Sequence, residues 1–295
     1  MTERVIDIAD DDARLSVRNE CLVIAREGHE DTTVPLDRAA VVVISNPRVS
    51  VTQAALAGLA QAGGMLVVCD SKRMPAAMLL PLEAHFAQGE RFAVQAQAPV
   101  PMLKRTWQSI VRAKLRAQAG LLREVRGDDG GLAELASRVR SGDPGNVEAE
   151  ASRRYWRALF GARFRRNRDG EDENRLLNYG YAVLRAIVAR AVCAAGLHPS
   201  LGLHHHNRYD AFRLADDLME PFRPVVDRMV FYYCREHGAG APLDRDAKAV
   251  MVRTLMGRFT TEGEARTLFD IAARAAALLV DVFAVKAKTF KFPEL

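Results

Sequence analysis

The segment from Tyr179 to Ala195 is the feature that most limits the possible folds. It reads YGYAVLRAIVARAVCAA, and only Arg185 and Arg190 interrupt its apolar and small residues. A helix that is hydrophobic nearly all round must be surrounded by other parts of the protein or by lipid. No stretch approaches the roughly 20 apolar residues of a membrane span, and 49% of the 295 residues are hydrophobic, which allows a sizeable core. We therefore expect a central buried helix and no membrane association.

The first hundred residues are predicted to be β-rich. Arg14–Arg18 alternates between polar and apolar residues, and the apolar run Cys21–Ala25 follows a polar break, so the two indicate a β-hairpin. Ala39–Ile44 and Met65–Cys69 are short and valine-rich, as is typical of buried strands. Between them, Val51–Ala62 is rich in Ala, Leu and Gln and predicts a helix that a Gly-Gly pair ends.

Helical patterns dominate the rest of the chain. The sequence therefore predicts an α+β protein with a small N-terminal β-rich domain, residues 1–95, and a larger all-α domain, residues 96–295. The boundary is expected near Pro99 and Pro101. Besides the central helix, we expect helices over residues 107–122, 132–140, 147 to about 166, 224–236 and 265–285, and one from Ala211 with Asp210 as its N-cap.

The cysteines and the N-terminus indicate the compartment. The four cysteines are far apart and form no CxxC motif, which argues against a zinc ribbon and for a reducing environment. The N-terminal run MTERVIDIADDD is acidic and does not match a signal peptide. We expect a cytoplasmic protein.

Positive charge is concentrated in the middle of the chain. Residues 101–170 carry 16 basic and 8 acidic side chains, a net charge of +8, whereas the whole chain has +5. Such asymmetry indicates a polyanionic partner, and arginine is well suited to phosphate contacts. The alternative is a solubilising surface. The candidate DNA-binding residues are Arg112, Lys114, Arg116, Arg153, Arg154, Arg157, Arg163, Arg165 and Arg166.

The stretch after the central helix contains many titratable groups. Three consecutive histidines, residues 204–206, precede a predicted helix on which Asp217 and Glu220 are three residues apart and share a face. Imidazole and carboxylate groups together can bind a divalent metal. The alternative is a polar loop followed by an ordinary solvated acidic face.

Glu148 is a further candidate. It lies in the first turn of a predicted helix, seven residues before Tyr155, so it shares the side of that helix that is expected to face the core. A glutamate in a first turn more often simply complements the helix dipole.

Several segments, in this order along the chain, carry a family resemblance: NVEAEASRRYWRALFG, GLHHHN and LADDLMEPFRP. The sequence resembles the CRISPR-associated integrases, which cut and join DNA in spacer acquisition. The GLHHHN and DLMEPFRP segments are similar to the subtype that accompanies type II systems. The resemblance implies a β-sandwich-like N-terminal domain, a helical catalytic domain and a homodimer. It also implies a heterohexamer in which two dimers flank a dimer of a small companion subunit.

The resemblance also implies a ligand set. The metal ligands of the family correspond to Glu148, to a histidine of the triplet and to Glu220. The spacing from the glycine favours His205, with His204 as the second choice, and Asp217 is an additional acidic position. The implied cofactor is Mg²⁺ or Mn²⁺, which carboxylates and imidazole can bind.

The implied reaction is the attack of a DNA 3′-hydroxyl on a phosphodiester of the CRISPR repeat, which inserts a short foreign DNA duplex as a spacer. Attack by water at the same site would give endonuclease activity. Two other functions fit the residues: a general metal-dependent nuclease that acts on branched DNA in repair, and a non-catalytic DNA-binding dimer that positions another enzyme.

Overall fold

The structure is a computed structural model that describes residues 3–9, 11–70, 75–81, 84–167, 170–204 and 209–293. The N-terminal part contains β1 (Arg4–Ile8), β2 (Ala13–Arg18), β3 (Cys21–Arg26), β4 (Thr32–Pro35), β5 (Ala39–Ile44), β6 (Ser50–Val51), α1 (Gln53–Gln61), β7 (Met65–Cys69) and β8 (Pro75–Leu79). The helical part contains α2 (Gln88–Ala96), α3 (Val100–Arg126), α4 (Leu132–Arg138), α5 (Val147–Phe160), α6 (Glu173–Ala194), α7 (Arg213–Met219), α8 (Arg223–His237), α9 (Arg245–Leu255), β9 (Arg258–Thr261), β10 (Glu264–Thr267) and α10 (Leu268–Phe283).

The N-terminal strands form two four-stranded sheets, in the orders β1-β5-β7-β8 and β4-β3-β2-β6. Leu15, Ile24 and Val42 from both sheets share one apolar core with α1. Every residue of β5 is buried because helices cover the other face of its sheet, and a strand covered on both faces is apolar throughout. The predicted α+β class and the sandwich-like N-terminal region are confirmed.

The central helix is α6, and it begins six residues before the predicted segment. By length and composition it could cross a membrane, but 89% of its apolar window is buried inside the protein, so it is a core helix. The two arginines of the predicted segment, Arg185 and Arg190, both have partners. Arg185 binds the carboxylate of Asp216 in a bidentate manner at 2.5 and 2.7 Å, and Arg190 Nη1 lies 2.5 Å from Glu3 Oε1. Paired in this way, the charges are compatible with a buried helix.

Two predicted helix boundaries are wrong near the candidate site. Helix α5 ends at Phe160 rather than near residue 166, because the chain turns at Gly161 with φ +101°. The last arginines of the basic run therefore lie on a loop. Helix α7 begins at Arg213, and Asp210 does not cap it but accepts a hydrogen bond from the N–H of Phe212.

The helical region also contains a β-hairpin that the sequence was not expected to form. Strands β9 and β10 pair across Glu262 and Gly263, whose φ angles of +52° and +80° suit a two-residue hairpin turn. The last helix begins only at Leu268, where Thr267 and Asp270 form a capping box. Among the residues that the structure describes, the C-terminal region is therefore mostly helical but contains this hairpin, so it is not all-α as predicted.

Two glycines give a paired test of the packing between α6 and α8. A Cβ at Gly180 would lie 2.5 Å from Val226 Cγ1, whereas a Cβ at Gly120 in α3 would meet nothing within 4 Å. We expect Gly180→Ala to lower the free energy of unfolding by about 1–3 kcal/mol through overpacking. Gly120→Ala should raise it by about 0.5–1 kcal/mol because the substitution removes a flexible residue from a helix interior. Urea unfolding of both variants tests the prediction, and equal effects would contradict it.

Candidate metal centre

The position of Glu148 is set by the start of α5. Asn146 occupies the N-cap position, but its side chain makes no capping hydrogen bond. Instead, the carboxylate of Asp143 accepts hydrogen bonds from the N–H groups of Val147 at 3.0 Å and Glu148 at 2.9 Å. Glu148 lies on the same side of the helix as the buried Tyr155, and its side chain is only 22% exposed.

Glu220 reaches the same place from a later segment of the chain. Helix α7 ends at Met219, and residues 220–222 form one 3-10 turn that leads into α8. Pro221 has no N–H to continue the α-helical hydrogen bonds, which favours a change of helix here. The Glu220 side chain is 7% exposed, and its Oε1 accepts a hydrogen bond from Arg223 Nε at 2.7 Å.

The side chain of Lys114, in the middle of α3, joins the two carboxylates. Its Nζ lies 2.6 Å from Glu148 Oε1 and 2.6 Å from Glu220 Oε2. Burial lowers the pKa of Lys114, but the carboxylates of Glu220 and Glu148 more than offset this, so its pKa lies above the usual value. Lys114 is a buried ammonium ion and does not belong to the exposed basic surface, contrary to the sequence-based expectation.

The histidine loop is anchored by Asp217, which is fully buried. Its Oδ2 accepts hydrogen bonds from the N–H of Leu203 at 2.6 Å and of His204 at 3.0 Å. The imidazole ring of His204 stacks on the buried Trp107, with ring centroids 4.5 Å apart and an interplanar angle of 4°. Asp217 therefore holds the backbone at Leu203 and His204, where the histidine triplet begins.

Helix α2 supports the segment that leads to the histidines. Gln95 is 4% exposed, and its Nε2 donates to the carbonyl groups of His198 at 3.0 Å and Leu201 at 2.9 Å. The domain boundary predicted between residues 95 and 96 lies in the last turn of this helix.

Removing the Asp217 carboxylate is expected to release the loop. Asp217→Ala would leave the buried N–H of Leu203 and the partly exposed N–H of His204 without their acceptor, so we expect a loss of about 1–3 kcal/mol in the free energy of unfolding. Asp217→Asn should recover much of it because an amide oxygen can accept the same bonds. Thermal unfolding, with limited proteolysis to follow the loop, tests this. Equal stability of the alanine variant and the wild type would contradict it.

The donor set fits a divalent cation. Glu148 and Glu220 place carboxylate oxygens around one ammonium group, which stands where a cation would be held. Carboxylate oxygens suit Mg²⁺ and Mn²⁺. Within the residues that the structure describes, no group of three or more His, Cys, Asp or Glu side chains could hold a metal ion. His205, the predicted third ligand, lies outside those residues, so the ligand set stays a prediction.

A buried network beside the site was missed by sequence reasoning. Asp227 accepts a hydrogen bond from Tyr155 Oη at 2.7 Å and another from Tyr181 Oη, and the guanidinium of Arg223 lies 4.5 Å from the Tyr181 ring centroid. Burial raises the pKa of Asp227 to about 6, although the tyrosine hydrogen bonds lower it. Asp227 lies within the apolar run of α8, and an aspartate in such a run was the feature of the sequence that could have indicated this network. This network ties the helix of Glu148 to that of Arg223, the partner of Glu220.

The Asp227 network predicts a pH-dependent effect. Because the pKa of Asp227 is raised in the folded protein, its contribution to stability is complete below about pH 4 and is lost as the pH rises through about 6. Tyr155→Phe removes a hydrogen bond that is worth about 1.5–3 kcal/mol to a carboxylate and about half as much to a neutral acid. We therefore expect the loss of Tm to be larger at pH 8 than at pH 5.

Tyr232→Phe is the matched control. The Tyr232 hydroxyl donates to Glu124 Oε1 at 2.9 Å on the surface, so its loss should cost less than about 0.5 kcal/mol at both pH values. A loss of Tm in Tyr155→Phe that is the same at pH 5 and pH 8 would contradict the prediction.

The predicted DNA-binding arginines fall into two groups. Arg112 and Arg166 are half-buried and bind the protein itself: Arg112 Nη2 donates to Val139 O at 2.8 Å, and Arg166 donates to Asn174 and Asn178 at 2.7 and 2.6 Å. The others are exposed, although Arg154 also pairs with Glu150 at 2.6 Å and Arg165 donates to the carbonyl groups of Ala162 and Phe164. The exposed members of the set are Arg116, Arg153, Arg154, Arg157, Arg163 and Arg165.

Comparison with known proteins identifies the family. The family model described as CRISPR associated protein Cas1 matches residues 6–241, and the chain belongs to this family. A curated relative, the CRISPR-associated endonuclease Cas1 of Neisseria meningitidis serogroup C (strain 8013), is 38% identical over 285 residues, which cover 96% of this chain and 93% of the relative.

Two solved structures share the fold. A casposase bound to integration product superposes with a TM-score of 0.75 at 18% identity and covers 100% of this chain and 94% of the casposase chain. A chain of a Cas6-RT-Cas1–Cas2 complex gives a TM-score of 0.76 at 17% identity, covering 99% of this chain and 36% of that chain. The family resemblance noted in the sequence is confirmed.

Proposed function

We propose that the protein is a divalent-metal-dependent DNA endonuclease and integrase that inserts short foreign DNA into a CRISPR array. The observation that carries the proposal is that Glu148, on α5, and Glu220, on the 3-10 turn before α8, meet at the ammonium group of Lys114. Helix α5 also carries exposed arginines. The relative from Neisseria meningitidis is named an endonuclease, and the casposase was solved with an integration product. Both names agree with the proposed chemistry.

The residues of this chain would have the following roles in the reaction. Glu148, Glu220 and His205 would hold Mg²⁺ or Mn²⁺, which when bound supplies Lewis-acid polarisation of the scissile phosphodiester. Arg223 keeps one oxygen of Glu220 in a fixed direction through its hydrogen bond at 2.7 Å. The exposed arginines of α5 and of the following loop would hold the DNA by its phosphates, which positions the duplex without reading its sequence.

The nucleophile decides which product forms. A DNA 3′-hydroxyl that attacks a repeat phosphodiester loses its proton and forms a new bond to phosphorus. The bond from phosphorus to the 3′-oxygen of the repeat breaks, and that oxygen takes up a proton as it leaves, so the two DNAs are joined. Water in the same position gives hydrolysis. One site therefore accounts for both the integrase and the endonuclease activity.

We further propose that the protein acts as a homodimer, two copies of which flank a dimer of a small Cas2-type subunit. The Cas6-RT-Cas1–Cas2 complex supports this partner, because part of one of its chains shares the fold of this chain.

The test is a joining assay with a fluorescent DNA duplex and a plasmid that carries the repeat, in MnCl₂ and in chelator. We expect half-site joined products that require both the metal and a free 3′-hydroxyl, so a dideoxy-terminated duplex should give none. Shortened strands without joined products would favour the repair nuclease. DNA binding that is unaffected by chelator, with neither kind of product, would favour the non-catalytic dimer.

A further inference from the structure

We propose that Lys114 is a resident counter-cation that competes with the divalent metal for Glu148 and Glu220. As a result, the metal would bind weakly to the free protein and tightly once DNA phosphates are present. This inference rests on the proposed function of the site. In it, Lys114 is the residue that couples metal binding to DNA binding.

The geometry places Lys114 as an internal cation. The residue is 7% exposed in a helix whose neighbouring residues, among them Val111, Leu115 and Gln118, are also buried. Its ammonium group is 2.6 Å from an oxygen of each carboxylate, a distance typical of strong charge-assisted hydrogen bonds. A cation that enters between the two carboxylates must displace this group or share the oxygens with it.

The charges of the four groups in direct contact balance without a metal, while Asp216 and Asp227 lie further out and also interact with Arg223. Glu148 and Glu220 contribute two negative charges, and Lys114 and Arg223 contribute two positive charges through their direct contacts. A divalent ion would give this partly buried group a net charge of +2, which is costly where water is largely excluded. The repulsion from Lys114 alone should weaken metal binding about tenfold or more.

DNA changes this balance. A phosphodiester adds one negative charge at the site and further negative charge along its strand, so metal and DNA should each increase the affinity of the protein for the other by the same factor. Lys114 increases this coupling factor, because its repulsion lowers the metal affinity more in the free protein than in the DNA complex. The neutral Lys114→Met variant should therefore bind metal well without DNA and show less coupling.

The experiment is calorimetric titration of the full-length protein with MnCl₂, with and without a DNA duplex. We expect Lys114→Met to bind Mn²⁺ about tenfold or more tightly than the wild type in the absence of DNA, and Lys114→Arg, which keeps the charge, to bind weakly. Lys248→Met is the control: Lys248 is 2% exposed and lies 3.2 Å from Ser45 Oγ and 5.5 Å from the Tyr179 ring centroid. It should leave the Mn²⁺ affinity unchanged.

The outcomes separate this inference from the function on which it rests. Equal Mn²⁺ affinity in the wild type and Lys114→Met would overturn the role of Lys114 while leaving the metal site intact. No Mn²⁺ binding by any form, with or without DNA, would overturn the metal site itself.

Thermal unfolding covers the case in which the variant is unstable. Lys114→Met leaves two carboxylates close together and should lower Tm in chelator, and Mn²⁺ should raise its Tm more than that of the wild type. Folding of the variant only with Mn²⁺ would support the proposal. A variant that stays unfolded at every Mn²⁺ concentration would count against it.

Discussion

Replacement of Glu148 or Glu220 by glutamine is expected to lower the rate of DNA joining by about 10³-fold or more. Glutamine keeps the size of the side chain but removes the charge that would hold Mg²⁺ or Mn²⁺. A metal acting as a Lewis acid stabilises the transition state by several kcal/mol, and about 4 kcal/mol corresponds to 10³ in rate. The two carboxylates meet at one cation, so each substitution should be nearly as damaging as both together.

The control for this prediction lies on the same helix. Glu150 is in the first turn of α5, like Glu148, but its contact is the exposed Arg154 at 2.6 Å. Glu150→Gln should therefore join DNA within about twofold of the wild-type rate, since exposed ion pairs contribute little. Single-turnover rates in MnCl₂ provide the measurement, and circular dichroism at the assay temperature separates lost chemistry from lost folding.

His205→Ala should resemble the two glutamate variants if the histidine is the third ligand. Wild-type joining rates in all three variants would show that the site is elsewhere. If the glutamate variants lose activity but His205→Ala does not, the imidazole ligand is a neighbouring histidine. His204→Ala is then the next variant to measure.

Much of the fold could be predicted because local patterns and tertiary packing agree. Strands β5 and β7 and the central helix α6 follow from runs of apolar residues, and most of their residues are buried as expected. Strands β4, β6 and β8 were not predicted. Helices α2 and α9 were also not predicted, and two further errors occur where one residue changes the backbone. Gly161 ends α5 early, and Glu262 begins a tight turn in a left-handed conformation that few residues other than glycine adopt. A helical pattern does not report such a conformation.

The candidate site was harder to predict because the roles of its charged residues depend on contacts between distant segments. Lys114 follows Arg112 and precedes Arg116 in sequence, which favoured a phosphate contact. Helical spacing nevertheless places it three residues after Val111 and four before Gln118, on the buried side of α3. Asp217 and Glu220 share a helix face, yet Asp217 anchors the histidine loop while Glu220 contacts Lys114. Only tertiary structure distinguishes the two acids.

The second large effect is expected on DNA binding by the triple variant Arg153→Ala, Arg157→Ala, Arg163→Ala. These three side chains are exposed, the first two on α5 and the third on the loop that follows it. Each phosphate that an arginine neutralises contributes about 0.9 to the slope of log affinity against log salt concentration. The triple variant should therefore reduce the slope by about 2.7 and weaken binding about 10²-fold at roughly 0.15 M salt.

A matched triple variant separates local phosphate contacts from total charge. Arg14, Arg18 and Arg38 are exposed in the N-terminal region, so replacing all three by alanine removes the same charge from a surface that is not expected to bind DNA. Fluorescence anisotropy with one labelled duplex across a salt series measures both slopes. Equal loss of slope in the two triple variants would show that net charge, rather than the surface of α5, attracts the DNA, because a long-range field acts regardless of which arginines supply it.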